Sequence, residues 1–215
     1  ILMPSRMVHY CIGFEILNIV RLNPELFIIG NLSPDAHDCS PYGVGASHFK
    51  TSYRPGVDKY PVVALEEFRG KYLKGNFDDF TLGYYCHLIT DNLWSKYVYY
   101  EYLQCDENER NMRVEKCYRD YYTLNKILIE EFNLRKVNLH IPEQVTIEEI
   151  NAENLQRIIQ ELNNDFNSNY DNRDLTLLTW HFVRHFIRNA VDECIQEIKG
   201  LIERDRIVQV LTEHN

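Results

Sequence analysis

Apolar residues recur at helical spacing from Ser5 to Val20 (SRMVHYCIGFEILNIV), and Ser5 is placed to cap the first turn. The next stretch, NPELFIIGNLSPD, opens with Asn23 as a cap and Pro24 at the first helical position, and Gly30 suits its exit. From Ser33 to Pro61 the period disappears under Pro, Gly, Ser, Asp and Tyr, which predicts a long loop of the kind that often carries function. Residues 62–74 return to a helical pattern, and Gly75-Asn76 breaks it. Asp78 to Gln104 then reads as one long helix without proline, rich in Tyr and Leu. Residues 113–133 and 152–166 predict two amphipathic helices, NSNYDNR at 167–173 a polar connector, and 174–213 one or two further helices. Strand-like alternation is scarce, there is no two-residue hairpin signal, and no internal repeat is evident. The expectation is an all-α, multi-helix bundle. It forms a single domain over residues 1–215, with the chemistry in the part up to about 134. RKVNLHIPEQV departs from the helical pattern, and the part from about 135 to 215 completes the bundle or acts as a lid.

Composition narrows the function classes. The chain has 215 residues, ample for a sizeable core, and its net charge of −9 argues against a broad basic surface for duplex nucleic acid. A small phosphoester or a phospholipid head group remains open as a partner, because a metal can supply local positive charge. No apolar run reaches membrane-spanning length, and no secretory signal is visible. The six cysteines form no C-x-x-C pair, and the chain is large enough not to need disulfides. A reduced, cytoplasmic protein is the expectation.

Four polar residues stand out. His87 and Asp91, in GYYCHLITDNLW, are one turn apart on the long helix and share a face. Imidazole and carboxylate both suit zinc, and buried polar groups on an apolar helix need partners. Asp35, in GNLSPDAHD, and His48, in GASHFK, sit on the loop and can fold back over that face; His9 on the first helix is a fifth candidate. Residue types alone leave alternatives open. A His–Asp pair at this spacing is often a structural hydrogen-bonded pair, Asp35 after Ser-Pro suits a turn, and His48 alone suits an ordinary loop position.

The ordered set MPSRMVHY, GNLSPDAHD, ASHFK and GYYCHLITDNLW resembles the bacterial zinc-dependent phospholipase C family over about residues 3–100. The resemblance implies the all-α fold shared with the single-strand-specific zinc nucleases. By position, Asp35, His48, His87 and Asp91 match the ligands of one zinc, with Asp91 bridging to a neighbouring zinc that His9 also binds. The chain departs from the family after Asp91, where NLWSKYVYYEYLQCDE holds no histidine, and at its start, where Ile1-Leu2-Met3 stands instead of an N-terminal Trp. One or two zinc ions are therefore expected, with another divalent metal as an alternative.

The expected activity is hydrolysis of a phosphoester, the ion lowering the pKa of a water to about 7 and polarising a phosphoryl oxygen. Asp35 is the candidate catalytic residue, both ligating and steering the water. Lys50 and Arg54 are candidate phosphate contacts, with ordinary solvated charges as the alternative, and Tyr84 and Tyr85 either line the cleft or pack the core. His181 and His185, also one turn apart, read more readily as a core-edge pair than as replacement ligands. His37-Asp38 offers the alternative of an HD-type nucleotide phosphohydrolase, although Pro34 and Pro41 flank the dyad and favour a loop. His140 and His214 read as surface residues. A further alternative is a non-catalytic helical protein that holds a metal and binds a partner.

Overall fold

The computed structural model describes residues 3–36, 43–51, 58–75, 77–167 and 174–213. Over these residues the chain is an all-α bundle of eight α-helices. Helix α1 (Arg6–Leu17) starts where Ser5 Oγ accepts the Val8 amide at 3.4 Å. Helix α2 (Pro24–Leu32) starts where Asn23 Oδ1 accepts the amides of Glu25 and Leu26, both at 3.1 Å. The predicted loop contains a 3-10 turn at Ser33–Asp35 and the short helix α3 (Gly43–Ser47). It closes with an antiparallel bridge between Lys50 and Val63 ahead of α4 (Leu65–Tyr72).

Helix α5 (Asp79–Tyr102) is capped by Asp78, whose carboxylate accepts the Thr81 amide at 2.8 Å. Every residue from Phe80 to Asp91 is buried. A helix buried on all sides must run through the middle of the protein, and α2, α4, α1 and α8 pack around it. Helix α6 (Glu107–Glu131) begins six residues before the expected 113, because Asp106 caps it and accepts the Glu109 amide at 3.0 Å. The run ENERN has no apolar period, so the cap is its only sequence signal. Residues 135–150 are not helical. Tyr10 of α1 pins them, its hydroxyl donating to the Arg135 carbonyl at 2.5 Å and accepting the Val137 amide at 3.0 Å.

Helix α7 (Ala152–Asn167) touches α1 and the 3-10 turn, while α8 (Trp180–Glu213) is one unbroken helix packed on α1 and α5. Asp120 of α6 fixes its approach: its two oxygens accept the amides of Thr176, Leu177 and Leu178 and the Thr176 hydroxyl, at 2.7–2.8 Å.

Two glycines set the crossing of α2 and α5. Gly30 is not the exit of α2, as its sequence position implied, but lies inside the helix against the backbone of Phe80. Gly83 of α5 lies in the same way against the backbone of Phe27 and Asn31. The carbonyls occupy the space a Cβ would fill, so only glycine allows this approach. One hydrophobic cluster, from Met7 to Leu201, includes residues of α1, α2, α5, α6, α7 and α8. Tyr84 and Tyr85 belong to this core, both stacked on Phe68. No described helix is long and apolar enough to cross a membrane. Cys11, Cys86, Cys105, Cys117 and Cys194 are free thiols; Cys39 lies outside the described residues.

Candidate metal centre

The 3-10 turn brings Asp35, and the end of α3 brings His48, onto the face of α5 that carries His87 and Asp91; α1 adds His9. His48 Nε2 lies 3.3 Å from Asp35 Oδ1 and 3.7 Å from Asp91 Oδ2. His87 Nε2 lies 3.7 Å from the same Asp91 oxygen, and His9 Nε2 lies 3.3 Å from the other, Oδ1. The rings of His9 and His87 stack with centroids 3.7 Å apart and planes 5° from parallel. Two overlapping ligand groups result, His9–His87–Asp91 and Asp35–His48–His87, with the Asp91 carboxylate between them.

The spacing suits a cation. Tetrahedral ligands at zinc-like bond lengths of about 2.0–2.2 Å lie about 3.3–3.6 Å from one another. The orientation suits one too. His87 Nδ1 is 2.8 Å from the Asn31 carbonyl, an acceptor only, so Nδ1 carries the proton and Nε2 turns its lone pair to the cluster. His48 Nδ1 is 2.9 Å from Ser47 Oγ, which leaves Nε2 facing inward. Tyr84 braces this turn by donating its hydroxyl to the Ser47 carbonyl. The Asn31 carbonyl and Ser47 carry no pattern that distinguishes them in the sequence, and nothing there pointed Tyr84 at Ser47. A backbone carbonyl has no residue signature, and Ser47 is marked only by preceding His48.

Polar satisfaction is incomplete in this cluster. His9 Nδ1 and Nε2, His87 Nε2 and both oxygens of Asp91 are buried and have no hydrogen-bond partner among the described residues. Such groups are costly to bury unless something compensates them. The donor set fits a divalent ion, with buried imidazole nitrogens and carboxylate oxygens converging.

Electrostatics favour the ligating protonation states. Burial, with His9 beside it, lowers the pKa of His87 to about 3, so its imidazole is neutral near pH 7. Burial raises the Asp91 pKa, but the imidazoles of His87, His9 and His48 pull it further the other way, to about 2. Asp35 is held well below the usual carboxylate range: burial pushes it up, but the His48 hydrogen bond and the imidazole charges outweigh that. Lys50 lies in the field of Asp91 and Asp35, and burial lowers its pKa.

All five expected ligands are thus brought together; the ammonium of Lys50, two residues after His48, contacts Met3 Sδ. Arg54, His37, Asp38 and His214 lie outside the described residues. His181 and His185 are exposed on α8, away from the cluster, with His185 facing Asn189. His140 is exposed and bonded to Glu25. Comparison with family models, with curated proteins and with solved structures finds no match to the chain.

Proposed function

We propose that the chain is a divalent-metal-dependent hydrolase of phosphoesters, similar in its chemistry to the zinc-dependent phospholipase C family. The observation that carries the reading is the convergence of buried His9, His87 and Asp91, whose five inward N and O atoms have no hydrogen-bond partner among the described residues beyond the His9–Asp91 contact at 3.3 Å. Zinc fits the mixture of imidazole and carboxylate, and the two overlapping groups that would hold one or two ions have His87 in common. When bound, the ion supplies a nucleophile at neutral pH and a Lewis acid for the phosphoryl oxygen. The Asn31 carbonyl holds the His87 imidazole in the ligating tautomer, and Ser47 fixes the orientation of the His48 ring. Asp91 stays ionised between the two ligand groups. Asp35, with 21% of its side chain exposed, is the ligand an incoming substrate and water would meet. In this reading Asp35 would accept a proton from that water, with His48 Nε2 at 3.3 Å from its Oδ1.

A second reading has its own observation. His9, His48 and His87 are completely buried and Asp91 is 2% exposed, as in a closed site holding a metal for stability rather than for chemistry.

Elemental analysis of protein purified without added metal tests the site. Stoichiometric zinc is expected in the wild type and its loss in His87→Ala and Asp91→Ala, with His181→Ala unaffected. Free zinc at a hundred times its dissociation constant adds about 2.7 kcal/mol to the stability of a binding fold. For a chain of this length that raises Tm by about 5–11 °C, and neither ligand variant is expected to gain it. Retained zinc in His87→Ala contradicts the site. Turnover in a screen of phosphomonoesters, phosphodiesters and lecithin-like lipids separates the hydrolase from the closed-site reading.

A further inference from the structure

We infer that the cleft between α5, α6 and residues 59–61 binds a small planar aromatic anion, stacked on Tyr60 and Tyr99 and held by Lys59 and Arg110. The inference goes beyond the metal reading and uses none of the candidate ligands.

The cleft follows from how the two helices pack. Helix α5 packs mainly on α1, α2, α4 and α8, and α6 on α1, so these successive helices are not pressed along each other. A cavity of about 280 Å³ stays open between them. The buried Val98 and Leu103 give it an apolar lining, and Ser95 and Asn111 add short polar side chains that do not fill it. Pockets for drug-sized ligands run from about 300 to 1,000 Å³, so the space suits a ligand of one or two rings.

Tyrosines supply the surface for stacking. Tyr60 and Tyr99 both line the cavity and are half-buried. The Tyr60 ring lies 5.7 Å from Tyr99 at an interplanar angle of 48°, and 6.0 Å from Tyr100 at 69°. Neither pair is parallel, so neither neighbour covers the Tyr60 face as a stacked partner would. A flat ring entering the cavity can take that place in offset stacking.

Charge selects the class of ring. The chain has 32 Asp and Glu against 23 Lys and Arg, yet among the described residues that line this cavity Lys59 and Arg110 are charged and none is acidic. Arg110 is held in place by neutral backbone: its Nε donates to the Leu103 carbonyl at 3.3 Å and its Nη2 to the Cys105 carbonyl at 3.1 Å. The Lys59 ammonium stands 5.8 Å from the centroid of the Tyr100 ring. Neither cation has a carboxylate partner among the described residues, so attraction for an anion is generated locally on a chain that is acidic overall. A ligand carboxylate would complete both cations with charge-assisted hydrogen bonds. A neutral ring would leave the cations unused, and an anion without a ring would leave the tyrosines unused.

The test titrates 2-naphthoate into the full chain by calorimetry, with 2-naphthylmethanol as the neutral counterpart and acetate as the anion without a ring. Ser95 and Tyr99 lie one and two turns beyond Asp91 on α5, about 6 and 12 Å along the axis, so the titration is run in chelator to keep the probe's carboxylate off a metal. The result therefore stands or falls apart from the metal centre. Saturable binding of naphthoate at a single site is expected, with naphthylmethanol weaker by about tenfold or more and acetate not saturating. Arg110→Gln should weaken naphthoate by about ten- to hundredfold, and the exposed Lys59→Gln by about three- to tenfold. Tyr60→Ala should cost about five- to hundredfold, while Tyr60→Phe keeps the ring face and stays within about twofold. Lys96→Gln, an exposed lysine of α5 outside the cavity lining, is the control and should change nothing. If Arg110→Gln fails to fold for want of its bonds to the two carbonyls, Lys59→Gln and Tyr60→Ala carry the comparison. A wild type with no saturable binding at millimolar naphthoate overturns the inference, as does naphthylmethanol bound as tightly as naphthoate. So does an affinity unchanged in both Lys59→Gln and Tyr60→Ala, or one lowered as much by Lys96→Gln as by Lys59→Gln.

Discussion

Adding a single methyl group at Gly30, which touches none of the five candidate ligands, should destabilise the fold and loosen the site. A Cβ at that position would sit 2.7 Å from the carbonyl carbon of Phe80 and 2.9 Å from its Cα, and closer still to the carbonyl oxygen. Ordinary contact begins at 3.4 Å, so relieving the carbon alone takes about 0.7 Å of movement. The obstructing atoms are backbone, so α2 and α5 must separate as bodies. A gap of about 0.5–1 Å forfeits a quarter to a half of the dispersion energy along the contact. Overpacking of this kind costs about 1–3 kcal/mol, occasionally more, and the better helix propensity of alanine returns at most about 1 kcal/mol. A net loss of about 2 kcal/mol lowers Tm by about 4–8 °C at this chain length. The same separation pulls the Asn31 carbonyl away from His87 Nδ1, so zinc affinity should fall as well. Gly200 of α8 provides the control, because a Cβ there meets only the Arg204 guanidinium at 3.8 Å. Gly200→Ala should leave Tm unchanged or raise it and leave zinc affinity alone. Thermal melts and zinc titrations of both variants are the assay. A Gly30→Ala protein as stable as Gly200→Ala would refute the close crossing of α2 and α5.

Two further outcomes follow from buried charge. In metal-free protein, the lowered pKa of His87 means that the unfolded chain binds more protons than the folded one between pH 6.5 and about 3. Stability should therefore fall as pH drops through that window, and Asp91, lowered to about 2, extends the loss below pH 3.8. Urea midpoints in chelator from pH 8 to pH 4 measure this, and an unchanged pH slope in His87→Ala would contradict it. Asp120→Asn should cost about 2–4 kcal/mol in urea denaturation, because an amide NH2 would then face backbone N–H donors that now bond to a carboxylate. A neutral result would show that α8 docks without that anchor.

How much of this was legible in the sequence differs from residue to residue. His87 and Asp91 announced themselves by spacing, since residues one turn apart on any helix share a face. Ser5, Asn23 and Asp78 mark helix starts by residue type, and each caps as that type allows. Asp35, His48 and His9 stand out by residue type, but only the resemblance groups them with His87 and Asp91, because Asp35 and His48 have no period to place them in space and His9 lies on a separate helix. Gly30 was misplaced because glycine marks a helix exit and a close helix contact equally well, and only the identity of the facing element decides between them. The early start of α6 was hidden by its charged first turns, and the bond from the Asn31 carbonyl is made by an atom every residue has.

The glycines and the ligands belong to one arrangement. Gly83, His87 and Asp91 follow one another at intervals of four residues, so they form a single stripe along α5. At Gly83 the stripe meets the backbone of α2, with Phe27 and Asn31 pressed into the space a side chain would take. Asn31 secures that contact by donating its side-chain amide to the Gly83 carbonyl at 3.3 Å. One turn on, the Asn31 carbonyl receives the His87 Nδ1 proton, which is possible only because the two backbones are already this close. Another turn on, α2 has ended in the 3-10 turn, and Asp91 faces the imidazole of His48 where a backbone would otherwise lie. The tight crossing therefore does more than pack two helices. It sets the distance at which the histidine is oriented and leaves a gap for the carboxylates one turn later. A site assembled from side chains on four separate segments gains its precision from contact between backbones, which is the least adjustable contact a helical bundle has.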